Sequence, residues 1–468
     1  MNKVLQAGIG YTLANFLIRG IGFLTLPIFS RLLMPEDFGR YTVFMAYEAI
    51  LFCFIGIALH TSLRSANLKF DINAYASSIT LLYLLQFGVC LIACFMFSSH
   101  LEAWTGFKHS VLIILLMSAF GSSLIEFYNN RVAIDYSYKK YFAITAFASV
   151  VNVGLSLILI LSVFSGDRFF GRVLGVGISL FSVGLVLIAL LWKNRRPQVS
   201  CQFWSFGIRY SLPVVFHGMF QIVLMQAGCV IIQKTVSATA AGMYALALSF
   251  FAIVSVLINS LATVWSTFFF ESMEQRSLEG RKRIQQAGKT VAVFFLLLTL
   301  GLSSVAPEIL LVLGGSSYRE SAYSAYGVLI CAYLVSLYSI IVVSEYYARK
   351  TQLLALCTMV GAASCVVFNW LGIRWTGYIS VAYTTSMAYV IYVLLHRFFC
   401  RKLLGLDVLS SRFIVMTLGL SYLVAYINFR FTDALGVRLI VAVAVLIATG
   451  MFLRANYSVF KRLIKTNS

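Results

Sequence analysis

The chain has 468 residues, 60% of them apolar and 11% charged, with a mean hydropathy of +0.90. Those values exclude an ordinary soluble domain. A net charge of +20 invites a nucleic-acid reading, but lysine and arginine also collect on the cytoplasmic side of membrane proteins, and that account leaves no nucleic-acid partner to expect.

About fourteen apolar stretches follow one another from Ala7 to Leu453, joined by short loops, and each has roughly the 20 residues that a helix needs to cross a bilayer. The expected fold is an all-α integral membrane protein with about 14 transmembrane helices. The first stretch, Ala7–Phe29, is too long for a signal-peptide core, and no small-x-small cleavage site follows it, so it reads as a retained span. Within it Thr12, Asn15 and Arg19 share one helical face with Gly8. An ionised arginine at mid-membrane costs about 2.5–3.5 kcal/mol even on a lenient scale. The stripe therefore points to a wet cavity, with a structural ion pair as the other account of Arg19.

The loop Arg31-Leu-Leu-Met-Pro-Glu-Asp-Phe-Gly39-Arg-Tyr41 follows the first span, and Lys234-Thr-Val-Ser-Ala-Thr-Ala-Ala-Gly242-Met-Tyr244 follows the seventh. In both, a basic residue precedes Gly by eight positions and Tyr by ten, at an offset of 203 residues. The glycines read as tight turns into the next helix, and the basic residues and tyrosines as interfacial anchors. Arg131 and Asn152 correspond in the same way to Arg349 and Asn369. The repeat predicts two six-helix lobes, 1–192 and 207–400, related by a pseudo-twofold axis along the membrane normal. Residues 193–206, opening on Lys193-Asn-Arg-Arg-Pro197, form a cytoplasmic linker. Residues 401–468 add a hairpin, Phe413–Phe429 and Leu435–Leu453, and a basic tail; Arg438 reads as snorkelling to the outer interface.

Other polar residues fall at membrane depth. Glu48 lies early in span two and Glu126 late in span four; each could bind a coupling proton or sodium ion, or pair with an arginine. His217 and Gln221 form an i,i+4 pair in span seven, followed by Gln226, and Asn259 lies in span eight. These are candidates for cavity lining, against packing as the plainer account. Pro27 and Pro213 mark spans one and seven as candidates for bending. The charged segment Glu271–Lys289 reads as a short helix along the cytoplasmic surface. Cys90 and Cys94 lie one turn apart without a His or carboxylate, so they read as packing residues. No HExxH, P-loop or dinucleotide turn occurs, so neither catalysis nor a cofactor beyond a coupling H+ or Na+ is expected.

With the amino terminus inside and sides alternating, 25 of the 36 basic residues fall on the inner side and 10 on the outer, leaving Arg19 within its span. This predicts both termini in the cytoplasm.

Three segments carry a family resemblance. Arg31-Leu-Leu-x-Pro-Glu-Asp-Phe-Gly39-x-Tyr41, Ala306-Pro-Glu-Ile-Leu-Leu-Val-Leu-Gly-Gly315-Ser-Ser-Tyr318 and Asn369-Trp-Leu-Gly-Ile-x-x-x-Gly377 resemble bacterial polysaccharide-export flippases of the Wzx type. The resemblance implies the multidrug/oligosaccharidyl-lipid/polysaccharide exporter superfamily, with two lobes around a cationic cavity. It implies a polyprenyl-diphosphate-linked oligosaccharide as substrate, an O-antigen or related repeat unit, turned from the inner to the outer leaflet of the bacterial inner membrane. Membrane lipids and the polysaccharide polymerase machinery are the implied partners. On this reading Arg19 neutralises phosphate charge, and Asn15, His217, Gln221 and Gln226 line the sugar path. The chain departs from the Wzx pattern in having fourteen stretches where twelve are common. It also reads Gln226-Ala-Gly228 where many relatives carry a charge. Two alternatives remain: a cation-coupled multidrug exporter of the same superfamily, and a polytopic polymerase or ligase. The latter needs a long outer loop, and the longest here, around Ser98–Ser110, is short.

Overall fold

Polar residues set the ends of the apolar helices. In the computed structural model, which describes residues 10, 20, 22, 24–275 and 277–465, the Asp71 carboxylate accepts from the amides of Asn73 and Ala74. That side chain satisfies two of the orphan donors at the start of its helix. Asp167, Ser237, Ser277 and Ser410 cap four further helices in the same way. Among the described residues there is no strand, and twelve helices are long and apolar enough to cross a membrane. The chain is a multi-pass membrane protein. Of the fourteen expected spans, the first lies largely outside the described residues. The twelfth, Ser380–Leu404, has crossing length but carries His396, Arg397, Arg401 and Lys402 toward its end.

The chain divides into two compact units. The first comprises Met1–Leu33 and Arg40–Ile222, the second Met34–Gly39 and Val223–Ser468. The division falls inside one helix, Cys201–Thr235, which runs unbroken through Pro213. It lies beyond the polar connector 193–206.

In the first unit the long helices are α1 (Pro35–Gly56, from Arg40 on), α2 (Ile72–Met96), α3 (His109–Ile134), α4 (Tyr138–Ile158), α5 (Arg168–Asn194) and the start of α6 (Cys201–Thr235). Helix α3 is the most buried, with 72% of its apolar window inside, and it packs most extensively on α5. A Cβ on Gly121 of α3 would lie 2.3 Å from the carbonyl of Leu180, and one on Gly177 of α5 would lie 2.5 Å from Ile114. Small residues bring the two backbones together where dispersion, not water exclusion, holds membrane helices.

The second unit holds α7 (Ala238–Ala247), α8 (Ser249–Glu274), α9 (Leu278–Ser304), α10 (Ala306–Gly314), α11 (Ser321–Ile341), α12 (Val343–Tyr347), α13 (Thr351–Thr376), α14 (Ser380–Leu404), α15 (Ser411–Arg430) and α16 (Leu435–Lys465). Its centre is the span formed by α11 and α12, of which 83% of the apolar window is buried. Counted along the chain this is span ten, as α3 is span four, so the two helices hold equivalent places in the repeat. Their closest packing partners also correspond: spans four and six in one unit, ten and twelve in the other. Asn152 of α4 accepts from Arg172 of α5, and Asn369 of α13 accepts from Thr384 and Thr385 of α14. In both halves the repeat asparagine is bonded to the next span.

Three local expectations are corrected. Gly39 and Gly242 lie within α1 and α7 at ordinary helical backbone angles, not at turns. Their role is close approach. A Cβ on Gly39 would fall 1.9 Å from the Ala238 carbonyl oxygen, and one on Gly242 would fall 1.9 Å from that of Pro35. The contact is reciprocal at the repeat offset. Next, Glu271–Lys289 makes no separate surface helix: α8 runs to Glu274 and α9 starts at Leu278. The Ser277 cap and the Glu279–Arg283 ion pair start α9 directly. Finally, Arg438 does not snorkel. It is 3% exposed and donates twice to Glu308, at 2.6 and 2.7 Å, and once to the Ser304 carbonyl. The expected tail hairpin forms, and α16 packs along α9 while leaving 94% of its apolar window outward, as a lipid-facing helix does.

Candidate functional site

The expected cavity residues Thr12, Asn15 and Arg19 lie outside the described residues. The others fall on two separate units. Glu48, Glu126, His217 and Gln221 belong to the first, and Gln226 and Asn259 to the second.

In the first unit, α1 and α3 share a polar seam. Glu48 of α1 is buried and accepts a hydrogen bond from Ser122 of α3, while its Oε1 has no partner. Ser122, Glu126 and Asn130 stand at i, i+4 and i+8, on one face of α3, and the Asn130 side-chain amide donates to Glu126 Oε1 at 2.8 Å. The 3-10 turn Leu59–Ser62 beyond α1 brings His60 to Glu126. Burial pushes the His60 imidazole below its ordinary range, and the Glu126 carboxylate opposes the shift. The sequence reading named both carboxylates but missed Ser122, His60 and Asn130. Their spacing on α3 was visible, but the fold over residues 57–62 that returns His60 to that helix was not.

Helix α6 passes α1 in the same unit, with Gly218 facing the Cys53 sulfur. His217 is half-buried and makes contacts of its own, whereas Gln221 is exposed. In the second unit Asn259 and Ser260 are exposed in the middle of α8, and Gln226 is half-buried with a partnerless Oε1. Of the repeat loop positions, Arg31 and Lys234 are exposed, both engaged in contacts. Tyr244 is buried at 2% exposure and so is no interfacial anchor.

Tyr41 is not an anchor either. Its hydroxyl accepts from Arg172 at 3.0 Å, and the same guanidinium donates to Asn152 and to the Ser156 hydroxyl at 2.9 and 2.6 Å. The Phe29 and Tyr41 rings lie 3.8 and 4.7 Å from it. Among the described residues no carboxylate pairs with Arg172, and its Nε lacks a partner. It stands in the second turn of α5, five residues after the Asp167 cap.

A family model described as polysaccharide biosynthesis protein matches residues 4–273. A Haemophilus influenzae protein named for the Lsg locus is 23% identical over 416 residues, covering 83% of this chain and 97% of its own. Among solved structures, the Lipid II flippase MurJ in an inward closed conformation matches with a TM-score of 0.72 at 14% identity, over 96% of this chain and 99% of its own. An inward-facing multidrug resistance MATE family transporter of the MOP superfamily matches at 0.67 and 13%, over 86% and 98%. At these identities the likeness shows the fold alone.

Proposed function

Because the chain belongs to the polysaccharide biosynthesis protein family, we propose that it is a flippase for a polyprenyl-diphosphate-linked oligosaccharide, an O-antigen or related surface repeat unit. It turns that lipid from the inner to the outer leaflet of the bacterial inner membrane, with both chain termini in the cytoplasm. The task is set by solvation: a sugar and diphosphate headgroup has no partners in hydrocarbon, and crossing unaided is very costly. A wet path through protein removes that cost while the polyprenyl tail stays in lipid, and alternating access of two lobes exposes the path to each side in turn.

The observation that carries the reading is the placement of the amides Gln221 and Asn259. Each lies in the middle of a membrane helix, and each is exposed rather than packed. An amide facing acyl chains loses its hydrogen bonds, so both faces call for water or a polar ligand. On this proposal Arg19 neutralises the diphosphate, and Asn15, His217, Gln221 and Gln226 meet the sugars. Glu48 and Glu126 exchange a coupling ion. Arg19→Ala should abolish surface-polysaccharide export at normal protein levels; full export by that variant would reject the assignment.

Buried Glu48 and the fold likeness to a multidrug transporter favour one second reading, a cation-coupled drug exporter. Under that reading Glu48→Gln would stop efflux of a cationic dye. Under the flippase reading the unaltered protein moves no such dye.

A further inference from the structure

Glu345 of α12, Cys357 of α13 and His396 of α14 meet in the second unit, remote in sequence from every residue given a transport role above. Glu345 Oε1 lies 2.5 Å from His396 Nδ1. All three side chains are buried, at 1%, 1% and 0% exposure. One donor atom from each falls within 4.8 Å of the others.

The ion pair alone leaves this cluster incomplete. Glu345 Oε2 and His396 Nε2 are buried without a hydrogen-bond partner, and an unsatisfied buried polar atom is costly and uncommon. The pair's surroundings do not supply the missing groups. The Tyr338 and Tyr392 rings pack on the imidazole at 4.9 and 4.6 Å. The other titratable groups facing Glu345 are the phenols of Tyr338, Tyr346 and Tyr392 and the Cys400 thiol. Among the described residues no lysine or arginine pairs with it.

We propose that Glu345, Cys357 and His396 bind a divalent transition-metal ion of the zinc class. The donor set selects the ion. One carboxylate oxygen, one imidazole nitrogen and one thiolate sulfur suit zinc or cobalt, whereas calcium and magnesium require several oxygens. A divalent ion on one carboxylate, one thiolate and one neutral imidazole carries no net charge, which suits an enclosure walled by aromatic rings. Ligand atoms on one tetrahedral zinc lie about 3.3–3.8 Å apart. The Glu345–His396 contact therefore opens slightly and Cys357 closes in, changes within reach of side-chain rotation. The ion fastens α12, α13 and α14 to one another.

The test uses the full-length protein in detergent micelles, stripped with a chelator and titrated with Co2+ and then Zn2+. One Co2+ per chain is expected, with a sulfur-to-cobalt charge-transfer band in the near ultraviolet, displaced stoichiometrically by Zn2+. Cys357→Ser, a mild change, should remove that band and weaken binding at least tenfold, and His396→Gln should do the same. Absence of saturable Co2+ binding by the unaltered protein would overturn the proposal. So would a charge-transfer band that survives in Cys357→Ser, since it would belong to another of the nine cysteines.

Discussion

Arg172 shows how a buried cation can be held without a countercharge. Three neutral acceptors and two ring faces replace its water. Hydrogen bonds to a charged group are worth about 1.5–3 kcal/mol each, so Tyr41→Phe should lower stability by that amount, read from unfolding midpoints of the purified protein in detergent. An unchanged midpoint would show that the Tyr41 contact contributes nothing. Glu308 and Arg438 solve the same problem with charge. The hydrogen bonds from Arg438 hold the Glu308 carboxyl below its usual range. A carboxyl lowered in the folded state stabilises above its unfolded pKa of about 4.3, and that stability is lost as pH falls through the folded value. Melting runs from neutral to strongly acidic pH should therefore show an acid-side loss that is missing in Glu308→Gln. That variant should already be less stable at neutral pH by about 1–2 kcal/mol, below the value for a fully buried pair because Glu308 is 44% exposed. A variant as stable as the parent at pH 7 would contradict the pairing. Hydropathy placed Arg438 near a span end but could not say whether neighbouring helices offer acceptors, and so it read that residue as snorkelling.

At the level of elements, the spans were legible because a bilayer fixes the length of an apolar helix, and the repeat was legible because two loop segments share their spacing. What the glycines do was not. Their helical angles follow from local sequence, but the approach of Pro35–Gly39 to Ala238–Gly242 depends on tertiary packing. With carbonyl oxygens 1.9 Å from the added carbon, Gly39→Ala and Gly242→Ala each force the two helix starts apart. The expected result is a loss of roughly 1–3 kcal/mol, the usual cost of overpacking, seen as a lower melting midpoint for each. Gly154→Ala, where nothing lies within 4 Å of the added carbon, should be neutral or slightly stabilising. Equal effects at Gly39 and Gly154 would remove the close-approach explanation. The span of α8 and the start of α9 teach a related lesson. Charge density suggested a surface helix, yet the Ser277 cap lets α9 begin only a few residues beyond α8.

For the whole molecule, family and fold were legible from three scattered segments, while the site was legible only in part. Depth along each span singled out polar residues one helix at a time, which named Glu48 and Glu126 but not the returning His60 or the serine between them. On the proposed function, a cationic, hydrated path carries an anionic glycolipid headgroup. The most direct measurement is flipping of a fluorescent polyprenyl-diphosphate oligosaccharide in vesicles holding the purified protein, scored by access of a membrane-impermeant quencher or enzyme to the far leaflet. Rapid flipping is expected of the unaltered chain, and background rates of Arg19→Ala at equal incorporation. Flipping by Arg19→Ala at the parental rate, or uptake of a cationic dye in place of the glycolipid, would contradict the proposed function.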